Sequence, residues 1–161
     1  MSESQVPAPF VLPPGTFQID RDGLWRHEGQ EVTHPGVLRN LFANLRVDAD
    51  GHYLQVGPAR IPVDVEDAPF VAVRVEAPRE SADGPLSLRI YLSDGDEETL
   101  VPDSVWLHAD GVPYCRVKSG RFTARFALPA WLQLAHFVEE GPGGEAILAL
   151  AGVRVPLSRR G

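Results

Sequence analysis

The chain of 161 residues carries 22 acidic and 15 basic side chains, a formal net charge of −7, which excludes a general nucleic-acid binder because no basic excess exists to neutralise phosphates. At 43 % hydrophobic residues it is a globular chain, long enough for one or two small domains with a real core. A single cysteine, Cys115, excludes an intramolecular disulfide and reads as a small core residue on a strand.

Residues 1–14 hold Pro7, Pro9, Pro13 and Pro14 among polar residues and read as a loose arm, with Phe10, Val11 and Leu12 able to dock on the body. Thr16 to Ile19 is a short strand, Arg21-Asp22-Gly23 a turn, and Leu24 to His27 the return strand. The Asp-Gly pair recurs at 50–51, 83–84, 94–95 and 110–111, so many antiparallel strands are expected. Glu28-Gly29 turns the chain toward Glu31-Val32. A helix follows, capped by Thr33 or His34, with Pro35 in its first turn. Val37, Leu38, Leu41, Phe42 and Leu45 form its apolar stripe, and Phe42→Ala is expected to cost about 3–5 kcal/mol if that stripe is core. Strands at 46–48, 52–56 and 60–65 complete the first half.

The second half opens with a strand from Phe70 to Ala77. Strict alternation puts Val71, Val73, Val75 and Ala77 on one face and Phe70, Ala72, Arg74 and Glu76 on the other. Residues 78–85 read as a loop. Leu86, Leu88, Ile90 and Leu92 then alternate with Ser87, Arg89 and Tyr91. If these strands pair, Arg74, Glu76, Arg89 and Tyr91 share a polar face, either a solvated surface with cross-strand ion pairs or a ligand surface. Asp94 to Glu98 reads as a solvated acidic turn, too short for a calcium loop. Strands follow near 105–108, 114–117 and 122–126. A second helix is expected from about Leu128 to Val138, with Leu128, Trp131, Leu134, Ala135 and Val138 as its stripe and Gly141 to Gly144 as its stop. Glu139 and Glu140 would then sit unfavourably at its negative end. The last hairpin joins 146–150 to 153–157.

Residues 54–63 align without gaps to residues 148–157, with Leu54/Leu148, Arg60/Arg154 and Pro62/Pro156 identical. Each segment follows a helix that is preceded by short strands. The order strands–helix–hairpin occurs twice, which points to an internal duplication. The fold class expected is α+β, as two related sheet-plus-helix subdomains at 15–66 and 67–161.

No catalytic motif stands out. His27-Glu28 is a candidate acid–base pair, although neighbouring strand residues point to opposite faces. His27, His34, His52, His108 and His136 lack metal-ligand spacing, so no metal is expected. Gly141 to Gly144 follows a helix and precedes a strand, the wrong order for a phosphate loop. No cofactor is expected. Trp25 and Trp131 read as core rather than stacking platforms. No apolar run reaches the roughly 18 residues that span a bilayer, and no secretory signal is visible, so the expectation is a cytoplasmic protein.

The run Phe17-x-Ile19-Asp20-x-Asp22-Gly23-x-Trp25-x-His27-Glu28-Gly29, the helix with Leu41-Phe42, Asp50-Gly51-x-Tyr53, and Val65 to Val71 together resemble the bacterial domain-of-unknown-function 1285 family. The resemblance covers about residues 16–157 and is stronger in the first half. It implies two related α+β subdomains, the second superficially like a pleckstrin-homology fold. It also implies a ligand site at their interface, proposed for a nucleotide-like molecule, and a role in signal transduction with no enzymatic activity established. The chain departs from the family pattern at Gly57-Pro58-Ala59-Arg60, at Ala127-Leu128 and at Gly143-Gly144-Glu145-Ala146.

The leading expectation is a non-enzymatic sensor or adaptor that binds a small, nucleotide-like anionic ligand in the groove between the two subdomains. Trp25, His27, Glu66, Asp67 and Phe70 would lie near that groove, with Arg74, Arg89 and Arg125 as anion contacts. Two other classes stay open: a protein-interaction module without a small ligand, and a small hydrolase using His27 with Glu28 or Asp67.

Overall fold

The computed structural model describes residues 16–160. The loose arm expected at 1–14 lies outside the described residues. The chain divides into two compact units, Met1–Asp67 and Ala68–Gly161, and its fold is α+β.

In the first unit β1 (Phe17–Ile19) and β2 (Trp25–His27) form an antiparallel hairpin, with Ile19 opposite Trp25. Asp20 builds the turn. Its Oδ1 accepts the N–H groups of Asp22 and Leu24 at 2.9 and 3.0 Å, and its Oδ2 accepts Nε of Arg26 at 2.8 Å. The chain reverses into β3 (Gln30–Glu31) through Glu28 and Gly29, both at positive φ, as a primed hairpin turn requires. Helix α1 (Pro35–Asn44) starts where Nδ1 of His34 accepts the N–H groups of Gly36 and Val37. A meander of β4 (Leu45–Asp48), β5 (Gly51–Val56) and β6 (Ala59–Val65) follows. β6 then pairs parallel to β1, giving the order β3-β2-β1-β6-β5-β4. The apolar stripe of α1 is shallower than expected: Leu41 is buried, while Val37, Leu38 and Phe42 are half-buried. Phe42 meets the buried Trp25 edge-on, with ring centroids 5.8 Å apart.

In the second unit β7 (Phe70–Glu76) is central. Alternation along it does not run as expected. Ala72 lies opposite Leu92 but Arg74 lies opposite Tyr91, so Val73 is the extra residue of a β-bulge. The bulge turns Arg74 and Glu76 away from the face of Phe70 and Ala72, which strict alternation would have shared with them. It leaves Val73 44 % exposed and puts Val75 into the core opposite Ile90.

Residues expected as a loop contain a small hairpin, β8 (Glu80–Ser81) with β9 (Gly84–Pro85), and Leu86 is exposed, so the buried alternation starts at Leu88. After β10 (Arg89–Leu92), the acidic run is not only a turn: Glu97–Thr99 is strand β11, paired to β10. A 3-10 turn at Pro102–Ser104 leads to β12 (Trp106–His108), β13 (Pro113–Val117) and β14 (Phe122–Phe126). All five Asp-Gly glycines, at 23, 51, 84, 95 and 111, adopt positive φ.

Helix α2 (Leu128–Ala135) is shorter than expected. Beyond it Val138–Glu140 is strand β15, which pairs with β16 (Ala146–Leu150), and β17 (Val153–Pro156) completes a three-stranded sheet. Strand pairing outcompetes the helical pattern here, beginning with the N–H of Ala149 donating to the Phe137 carbonyl at 2.8 Å. Gly141 to Gly144 therefore ends a strand, not a helix. Glu139 is free of the helix dipole and meets Arg154 at 2.9 Å instead. Of the expected stripe, Leu134 is buried but Leu128 is 60 % exposed, and the buried partner is Ala130. A further strand, β18 (Ser158–Arg160), pairs parallel to β12. The large sheet has the order β11-β10-β7-β14-β13-β12-β18.

β14 pairs with β7 only through Phe70–Ala72. Past that point α2 replaces it. The Ala127 N–H donates to the Ala72 carbonyl at 3.0 Å, and Oε1 of Gln133 accepts the Val75 N–H at 2.7 Å.

The two similar sequence segments pair in the same way. Leu54 lies opposite Ile61 and Gln55 opposite Arg60; at the aligned positions Leu148 lies opposite Val155 and Ala149 opposite Arg154. Leu54 and Leu148 are both fully buried.

Candidate functional site

Three of the expected site residues, with Tyr91, lie on the face of the large sheet opposite Ala72, Val75, Ile90 and Leu92. Arg89 stands across from Glu76 on neighbouring strands, and Tyr91 across from Arg74. The Arg74 guanidinium lies 4.0 Å from the Tyr91 ring centroid and reaches Glu76 at 3.1 Å. The Tyr91 hydroxyl donates to Oε1 of Glu76 at 2.5 Å. Arg89 meets Glu97 of β11 at 3.5 Å. The side chains of Arg74 and Arg89 remain 50 % and 41 % exposed, so both forks are open to solvent beside their carboxylate partners. Arg125, on β14, pairs in the ladder with Val71 and Tyr114 and faces the same side, half-buried.

The other expected residues are dispersed. Trp25 is 1 % exposed beneath α1, and Phe70 is 2 % exposed against Phe122, with centroids 5.3 Å apart. Both are core rings and present no face to solvent, contrary to their expected place beside a ligand. The His27 ring lies against Phe17, with centroids 4.8 Å apart and planes tilted by 32°, on the rim of the first unit's core. Its neighbour Glu28 accepts the Thr16 N–H at 2.8 Å, so this carboxylate closes the strand end. The Glu66 side chain is exposed and its N–H donates to the Ile19 carbonyl; Asp67 is half-buried.

One constellation was not legible in advance. Lys118, the only lysine, puts Nζ 2.6 Å from both Asp94 and Asp96, while its backbone N–H donates to Glu98. Burial opposes the ammonium charge, but hydrogen bonds with Asp94 and Asp96 outweigh it and hold Lys118 above its ordinary pKa. The same contact lowers Asp96. The pair ties the β10–β11 turn to the β13–β14 turn, where Lys118 and Ser119 are held at positive φ. Burial pushes the Cys115 thiol up to about 12, so it is an inert core group.

No helix among the described residues is long and apolar enough to cross a membrane. No group of three or more His, Cys, Asp or Glu side chains among them is placed to hold a metal ion.

No protein-family model and no curated protein matches the sequence. Two solved structures do match. A DUF1285 family protein from Silicibacter pomeroyi DSS-3 is 27 % identical, with a TM-score of 0.73 over 91 % of this chain and 84 % of that one. A DUF1285 family protein from Shewanella baltica OS155 is 19 % identical, with a TM-score of 0.63 over 76 % of this chain and 91 % of that one. The chain therefore has a DUF1285-like fold.

Proposed function

We propose that the protein is a non-enzymatic sensor or adaptor that binds a small anionic, nucleotide-like molecule on the exposed face of its large sheet. The observation that supports this reading is the diagonal placement of Arg74 and Arg89 on one face of paired strands, each with an exposed fork, with Tyr91 directly across from Arg74. A phosphate group would take hydrogen bonds from both guanidinium groups in competition with Glu76 and Glu97. Tyr91 adds an aromatic surface beside them. Ligand binding would release Glu76 and Glu97 and so change the charge that this face shows to a signalling partner.

A thermal-shift screen against nucleotides, cyclic nucleotides and dinucleotides tests the reading. A ligand at about 100 times its dissociation constant stabilises by roughly 2.7 kcal/mol. An R74Q/R89Q double variant should lose that shift while its unliganded melting temperature stays within a few degrees of wild type. A shift of full size in the double variant would refute the site.

A second reading, a protein-interaction module, is favoured by Leu128 and Leu132, which are 60 % and 59 % exposed and one turn apart on α2. A flat nucleotide screen together with specific capture of a protein, lost in L128S/L132S, would favour it.

A further inference from the structure

We propose a second binding site, for a small uncharged apolar molecule of about the size of a benzene ring, in the second unit. It is a pocket of about 120 Å³ between the C-terminal half of α2, the β12–β13 hairpin and β15. Leu107, Pro113, Trp131, Leu134, Val138 and Leu157 line it. These come from separate stretches of the chain, so the pocket is built by the tertiary fold and not by one loop.

Two features keep it open. Gly111 stands at the pocket with φ of 90°, and a Cβ added there would lie 3.9 Å from Cζ2 of Trp131. Ala135 is the exposed last residue of α2 and has no side chain long enough to cover the pocket. The six larger lining side chains carry one polar atom among them, the Trp131 indole nitrogen. A charged or strongly polar ligand would lose its hydration without replacement there. The pocket opens to solvent beside Ala135, and its apolar walls offer water few of the two to four polar partners it needs, so an apolar ring gains by covering them. The chemistry thus selects a single aromatic ring or a short branched alkyl group. This pocket lies on the side of the sheet that carries the core, whereas Arg74 and Arg89 face the other way, so the two sites would bind independently.

Benzene is the probe, added to the whole chain and followed by the methyl signals of Leu107, Leu134, Val138 and Leu157 and by melting temperature. The expected result is saturable binding with those four residues shifting together. A135L, at an exposed helical position, should weaken it at least tenfold. G111N should do the same from the opposite rim, because asparagine tolerates positive φ. The R74Q/R89Q variant should bind benzene as wild type does. Shifts that rise linearly to the solubility limit, or unchanged affinity in both A135L and G111N when each is folded, would overturn the proposal.

Discussion

Gln133 carries the heaviest duty of any single polar side chain on α2. Its Oε1 accepts the N–H of Val75, a residue 5 % exposed on the stretch of β7 that has lost β14 as a partner. Replacing it by leucine keeps the volume and the helix propensity but leaves that N–H without an acceptor. A buried donor left unpaired costs about 1–3 kcal/mol. For a chain of this length that lowers the melting temperature by roughly 2–12 °C. Q133E retains an acceptor at the same place and should lose much less. Urea denaturation of Q133L and Q133E, with amide exchange at Val75, measures both. Exchange at Val75 should quicken in Q133L alone. A Q133L protein within about 0.5 kcal/mol of wild type would refute the claim that this bond holds α2 to β7.

Three further outcomes are expected. Phe42 is half-buried, so F42A should cost about 1.5–3 kcal/mol, less than the value for a core phenylalanine, whereas L41A should cost about 2–5 kcal/mol; urea denaturation ranks the two. Hydrogen bonds from Arg60 to Asp48, from Lys118 to Asp96 and from the Val112 N–H to Asp110 lower these carboxylates. Their contribution is present above the unfolded value near pH 4 and is lost as pH falls through the lower folded values, so urea midpoints should fall below about pH 4. Lys118 is raised, so its contribution is present below about pH 10.4 and lost as pH rises through its folded value. K118M should cost about 1–3 kcal/mol, since Asp94 is only 9 % exposed and loses its cation, and should flatten the alkaline limb of the stability curve.

Local chemistry made much of this fold legible. The Asp-Gly pairs fix turns because aspartate and glycine satisfy the backbone there regardless of what surrounds them. His34-Pro35 starts α1 for the same reason. The likeness of residues 54–63 to 148–157 is matched by the same pairing register, because the two-residue turn in each sets it. What was not legible depends on distant partners. Alternation along β7 gives no sign of the bulge at Val73, which is set by the register of β10. Val138 to Glu140 extend a helical pattern and become a strand only because β16 is there to pair with them. Arg74, Glu76, Arg89 and Tyr91 were expected on one face if their strands paired, and they do; their carboxylate partners make that face an ion-pair network as well as a candidate anion surface. Nothing in the sequence joins Lys118 to the acidic run, since 20 or more residues separate it from Asp94, Asp96 and Glu98.

The most direct test of the anion site is a titration of the ¹⁵N-labelled protein with a nucleoside triphosphate, following the Nε–H signals of Arg74 and Arg89 and the amide of Tyr91. The account predicts saturable shifts at these three groups in the wild type and no shift of the Tyr91 amide in R74Q/R89Q. Saturable shifts confined to other residues, or no shift at millimolar nucleotide, would contradict it.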